Sequence, residues 1–397
     1  MIKFPDITIL LTLMVTLSCQ QENSNNQNIP LPDTRFSRME LKKSAPDKET
    51  ITTVSPYDDI ARFLSGLPCS SPSLQKLQNT DVWKTFAGVI DSKWTALENK
   101  RFKSMKTWAD TVLAEANKKT ELVFYPFGGP DFMTAFQFFP DAETYMLVGL
   151  EPPGNLPDVI KWKPQHMESY MEDMKISLYD YFLKSYFITR DMNETLQGYK
   201  VEGVLPLICF FLKRSDSTII DIRRIEFDEK GNTIETPYKT LLKRIKRPYG
   251  IRIDYITNAT HRHKTVYFFS CDLSDESFHK NSKFFLYLDK IEAMTVFTKS
   301  ASYLLHYNNF TNIRNMILAK SQCILQDDTG IPYRYFKENI WEIRLYGQYT
   351  KPVKDFSGVE QHDLEAAYKK SAPGKLPFHL GYHWENNLDG LMLITRK

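Results

Sequence analysis

Residues 121–153 read ELVFYPFGGPDFMTAFQFFPDAETYMLVGLEPP. Residues 122–127 form the apolar, aromatic run of a strand, and the pair Gly128-Gly129 lets the chain turn sharply. Pro130 suits the first position of a helix, which the pattern carries to about residue 139. A second apolar strand, 144–150, ends on the carboxylate Glu151, followed by Pro152-Pro153. Strand, glycine turn, helix, strand and acid together predict a parallel βαβ unit. Ligands of such units settle beyond the carboxyl ends of the strands, so Gly128, Gly129, Asp131 and Glu151 are the expected ligand-binding residues. The same residues also suit a plain tight turn in which Asp131 caps its helix and does nothing more.

Working toward the C-terminus, residues 166–186 predict a helix. The wholly apolar run 204–213 (VLPLICFFLK) predicts a strand buried on both faces. Alternation over 218–227, turn residues at 228–232, and the runs 250–256 and 264–271 predict further strands. The pattern leaves the type of 283–288 and 293–298 open, gives a helix over 302–321, and closes with strands at 340–346 and 391–395. Toward the N-terminus, 57–67 has the spacing of an amphipathic helix, and 81–117 is helical. Trp83, Phe86, Ile90 and Trp94 share one face of that region. The expected architecture is α/β and Rossmann-like, with a mostly parallel central sheet. A helical cap, 56–120, precedes a core of 121–397 in a single domain.

The chain has 397 residues, 42% hydrophobic and 25% charged, which suffices for a large core. A net charge of +3 gives no footing for a nucleic-acid partner. Cys69, Cys209, Cys271 and Cys323 lie far apart without a Cys-x-x-Cys pair, so neither a zinc site nor a redox motif is expected.

Residues 1–18 have a basic start, an apolar run at 7–17 too short to cross a bilayer, and a small residue before Cys19. A polar tract rich in Asn and Gln follows. This resembles the signal and lipobox of bacterial lipoproteins. The resemblance implies that Cys19 is lipidated, that 19–55 is a disordered tether, and that the protein is membrane-anchored in the cell envelope. The basic run 239–247 (KTLLKRIKR) suits either a solvated helix face or a contact with anionic headgroups.

The glycine turn and Glu151 locally resemble the first motif and the acidic post-motif of class I methyltransferases that use S-adenosylmethionine. There the glycine loop lies under the methionine part, and Glu151 would match the ribose-binding acid. The chain carries Gly128-Gly129-Pro130 in place of G-x-G, with Phe127 where a small residue is usual. Nucleotides are also scarce in the envelope. Over most of its length the chain resembles a group of uncharacterised bacterial exported proteins, on Tyr125 to Phe132, Gly149 to Pro152, Gln326 to Pro332 and Leu376 to Phe378. That likeness carries no activity with it.

A second constellation is QDDTGIPYR at 326–334. Asp327 and Asp328 could divide acid and base roles or hold a cation, and either could pair with Arg334 to pin the loop. Adjacent acids on an extended chain point to opposite sides, which favours pinning. His261 and His263 alternate in a polar connection, His306 reads as a half-buried helix residue, and His379 and His383 fall in an aromatic closing segment. No G-x-S-x-G, Walker or H-E-x-x-H motif is present, and the sequence names no metal or cofactor. The functions left open are a lipid-anchored envelope protein binding a small ligand, an enzyme of hydrolase or group-transferase type using Asp131, Glu151 and the Asp327-Asp328 loop, and a structural surface protein.

Overall fold

The computed structural model describes residues 55–187, 201–238, 249–354, 356, 358–384 and 388–397, within one compact unit spanning 44–397. The expected signal segment, Cys19, the tether up to residue 54 and the basic run 239–247 lie outside the described residues.

Among the described residues, runs rich in strong β-formers build ten strands: β1 Leu122–Tyr125, β2 Thr144–Gly149, β3 Ser217–Phe227, β4 Thr233–Pro237, β5 Gly250–Thr257, β6 Arg262–Ser270, β7 Met294–Thr298, β8 Ser321–Gln326, β9 Trp341–Gly347 and β10 Gly390–Arg396. They form one sheet in the order β4-β3-β5-β6-β2-β1-β7-β8-β10-β9. The strands β6, β2, β1, β7 and β8 run parallel to one another, and the flanks are antiparallel. Five of the nine neighbouring pairs are antiparallel. The expectation of a mostly parallel, Rossmann-like sheet is therefore wrong; the sheet is mixed. The parallel βαβ unit at 122–149 is real, but the β5–β6 hairpin and the returning strand β10 need no crossover, so the sheet continues antiparallel on both sides.

Helices cover both faces. Helices α1 Pro56–Leu64, α2 Pro72–Gln78, α3 Asp81–Leu97, α4 Lys103–Val112, α5 Phe132–Phe138, α6 Pro164–Lys184 and α7 Leu205–Arg214 pack on one. On the other lie α8 Lys283–Asp289, α9 Thr311–Lys320 and α10 His362–Lys370. Strand periodicity makes the division: Val123 and Tyr125 face the first layer while Phe124 faces the second. Trp83, Phe86, Ile90 and Trp94 are all buried in the first layer, as their helical spacing predicts. Asp58, in the first turn of α1, accepts from the Ile219 amide at 2.8 Å and pairs with Lys213 of α7 at 2.6 Å. That buried carboxylate ties α1, α7 and β3 together.

Two further expectations fail locally. Residues 204–213 are not a strand but helix α7, buried on every side from Leu205 to Lys213. A helix with no exposed face has no apolar period, so an unbroken apolar run does not separate it from a buried strand. The helix expected over 302–321 begins only at Thr311, after 3-10 turns at Leu304–His306 and Asn308–Phe310. Ser302 and Tyr303 have φ of 50° and 54°, which right-handed helix cannot accommodate.

Candidate functional site

The sheet reverses its winding between β1 and β7. From β1 the chain crosses over α5 in the first layer to β2, whereas from β7 it crosses over α9 in the second layer to β8 on the far side. Right-handed crossovers in opposite directions must use opposite faces, and it is at such a point, beyond the carboxyl ends of the strands, that open α/β sheets hold their ligands.

Asp131 follows β1 and caps α5: its Oδ1 accepts from the Thr134 amide at 3.2 Å, and its Oδ2 accepts from the Tyr125 hydroxyl at 3.1 Å. The same Oδ2 lies 2.8 Å from the ammonium of Lys299, the residue after β7. Lys299 also donates to the Ser185 carbonyl. Burial pulls the Lys299 pKa down, against the opposing pull of the Asp131 and Asp327 charges. Gly128 and Gly129 do not leave a bare corner. A Cβ on Gly128 would stand 2.7 Å from the Tyr125 ring, and one on Gly129 (φ 53°) would stand 3.5 Å from Glu151 Oε2. Glu151 itself is buried. Gly128 is required because the Tyr125 ring occupies the space a side chain would need, and Gly129 because its backbone is left-handed.

Asp327 and Asp328 follow β8, one strand further on. Asp327 Oδ2 accepts from the Ser300 amide at 2.9 Å, and its Oδ1 accepts from the amide and hydroxyl of Thr329 at 3.0 and 2.5 Å. Asp328 Oδ2 accepts from the Tyr303 hydroxyl at 2.5 Å and lies 3.6 Å from His383 Nε2. Both acids therefore serve one cluster, because a turn closed by Gly330 N–H to the Asp327 carbonyl replaces the extended geometry that would have splayed them. Burial, then the Asp328 charge, pushes Asp327 up to about 7. Burial alone would lower His383, but the Asp328 contact and the surrounding carboxylates outweigh it and the net shift is upward. His306 goes the other way, down to about 4, chiefly through burial.

The backbone beside this cluster is strained. Phe127 after β1 has φ 62°, and Ser300, Ser302 and Tyr303 after β7 have 52°, 50° and 54°. Each such non-glycine residue costs on the order of 1–3 kcal/mol and persists only where the surroundings impose it.

Arg334 does not pair with either aspartate; it is exposed and lies over the Tyr335 ring at 5.1 Å. His261 and His263 are exposed on the β5–β6 hairpin, and among the described residues no cluster of metal-ligating side chains occurs. A cleft of about 300 Å³ lies elsewhere, between α3 and α6, lined by Asp81, Phe86, Glu168 and Lys175 among others. Lys299 and Ser300 went unread in the sequence; the signal was the abrupt Lys-Ser-Ala-Ser after the apolar run 293–298.

Fold and site together define a three-layer α/β domain with a mixed sheet and an enclosed acid–base cluster at the switch point of its parallel centre. No family model, curated protein or solved structure matches the chain. Among the described residues, no helix is long and apolar enough to cross a membrane.

Proposed function

We propose that the chain is a lipid-anchored protein of the bacterial cell envelope, held to the membrane through Cys19, that binds a small uncharged molecule at the carboxyl rim between β1, β7 and β8. The anchor is supported by the sequence pattern before Cys19 alone; the observation that carries the binding site is the convergence of Asp131, Lys299, Asp327 and Asp328 at the switch point, with none of them facing solvent. Burying these charges costs several kcal/mol per ion, and an apolar core of the same volume would be at least as stable. The shifts that burial and neighbouring charges give Lys299 and Asp327, at a position where α/β sheets hold ligands, favour a functional site over a structural knot. Four nearby carboxylates, counting Glu151, make the rim inhospitable to anions.

The test is thermal melting of the full chain in detergent against panels of uncharged esters, amides and sugars, with nucleotides and divalent cations as contrasts. One uncharged class should raise the melting temperature, since a ligand specific for the folded state stabilises it by mass action. The shift should vanish in Asp327→Asn. A shift from nucleotides alone, or one indifferent to Asp327→Asn, would defeat the proposal.

A further inference from the structure

Ser300 stands directly after the buried Lys299, on the loop that leaves β7 in left-handed conformation. Both of its backbone polar groups are fixed: the amide donates to Asp327 Oδ2 at 2.9 Å, and the carbonyl accepts from the Tyr382 hydroxyl at 2.8 Å. Its Oγ is different. That atom is buried and makes no hydrogen bond. A buried hydroxyl without a partner is uncommon in a folded protein and calls for an explanation. Strained backbone on a tight turn after a central parallel strand is one way to aim a side chain rather than merely to store it.

What faces Ser300 is the 3-10 turn Gly381–His383. A Cβ on Gly381 would stand 3.4 Å from Ser300 Oγ and 2.7 Å from Asp327 Oδ2. Two residues further along that turn comes His383, its side chain 7% exposed and neither ring nitrogen hydrogen-bonded. Its Nε2 is 3.6 Å from Asp328 Oδ2, and Asp328 is in turn oriented by the Tyr303 hydroxyl. Ser300 Oγ thus lies against the turn that carries His383, and His383 in turn lies beside Asp328, so three separate segments pack together here.

We propose that Ser300 is the nucleophile of an acyl-ester hydrolase, with His383 as general base and Asp328 as the residue that orients it. The proposal rests on the small-molecule reading of the same rim. Ser300 Oγ attacks the ester carbonyl carbon while its proton passes to His383. The bond to the leaving alcohol breaks, and the alcohol takes that proton. Water then adds to the acyl-Ser300 carbonyl, with His383 accepting its proton; the acid departs as the Ser300–acyl bond breaks and the proton returns to Oγ. The carboxylates at the rim select an uncharged ester over a phosphate ester. Tyr382, with the Phe356 ring centred 5.4 Å and the Tyr186 ring 5.0 Å away, offers half-buried aromatic surface for the apolar part of the substrate. Because Gly381 covers Oγ, substrate access requires the backbone at Gly381 (φ 70°) to shift while His383 stays against Asp328, a change that glycine tolerates.

The experiment is labelling of the full chain in detergent with a fluorophosphonate, followed by intact mass and peptide mapping. The expected result is one adduct, on the peptide containing Ser300. Ser300→Gly should take up no label while melting at least as high as wild type, because glycine relaxes the left-handed backbone. His383→Gln should label about tenfold more slowly or worse. An adduct that survives Ser300→Gly overturns the assignment. So does the absence of any adduct: if an uncharged ligand still shifts the melting temperature and Asp327→Asn still abolishes that shift, the nucleophile alone falls, and if both signals are missing the binding site falls with it.

Discussion

Lys299 Nζ and Asp131 Oδ2 lie 2.8 Å apart with side-chain exposures of 0% and 2%, an ion pair closed off from solvent between the loops after β7 and β1. Neither residue can lose its partner without stranding a charge. Lys299→Met should lower the unfolding free energy by about 3–5 kcal/mol in urea denaturation. Asp131→Asn should cost less, since asparagine still caps α5. Combining the two should recover most of the loss, because two neutral groups need no counter-charge. Simple additivity in this double-mutant cycle would mean that the pair does not interact as described.

A second outcome concerns pH. Burial first, then the Asp328 charge, raises Asp327 in the folded state to about 7, against about 3.9 in an unfolded chain. The folded state then binds more protons than the unfolded one between those values, so stability falls as pH rises. The contribution is fully present below about pH 4 and is lost by the time pH passes about 7. The melting temperature of wild type minus that of Asp327→Asn should therefore decrease from pH 5 to pH 8. Taking the difference removes the contribution of titratable groups remote from Asp327 that both proteins share. A flat or rising difference would show that Asp327 is ionised throughout.

Gly381 sits at φ 70° with the position of a Cβ 2.7 Å from Asp327 Oδ2. Gly381→Ala should destabilise the protein by about 1–3 kcal/mol through backbone strain and displacement of that carboxylate. Urea denaturation reads this directly. A neutral substitution would mean that the turn is free to move away at little cost.

The proposed membrane attachment rests on the lipobox-like pattern that ends at Cys19. Cells expressing the wild type should incorporate radiolabelled palmitate into the protein, and the product should partition into the detergent phase. Cys19→Ser should take up no label and move to the aqueous phase. Label retained in the variant would place any lipid elsewhere.

The elements around residues 121–153 were legible because each carries its own local signal. Tyr125 and its neighbours are strand formers, Asp131 can cap only the helix that follows it, and β1 and β2 do pair in parallel through α5. The Trp83 face was legible for the same reason, since half-exposed helices display their period. Helix α7 was not, because full burial erases that period, and the late start of α9 turns on left-handed backbone that no residue type announces. Sheet direction failed on a different ground. Whether β5 and β10 run with or against their neighbours depends on how hairpins and returning strands dock, which is a property of pairs distant in sequence.

By itself, the sequence determined most of the strands and helices, 204–213 and 302–310 excepted, the acidic and glycine residues at the ends of β1, β2 and β8, and the lipobox-like pattern ahead of Cys19. Only the tertiary structure decided that those strand ends meet at a rim, that Lys299 neutralises Asp131 there, and that Ser300 and His383 come within reach of Asp327 and Asp328. The physical reason is that propensity and capping act over a few residues. Burial, and the charge pairing and pKa shifts it enforces, depend on segments distant in sequence being packed into one low-dielectric place.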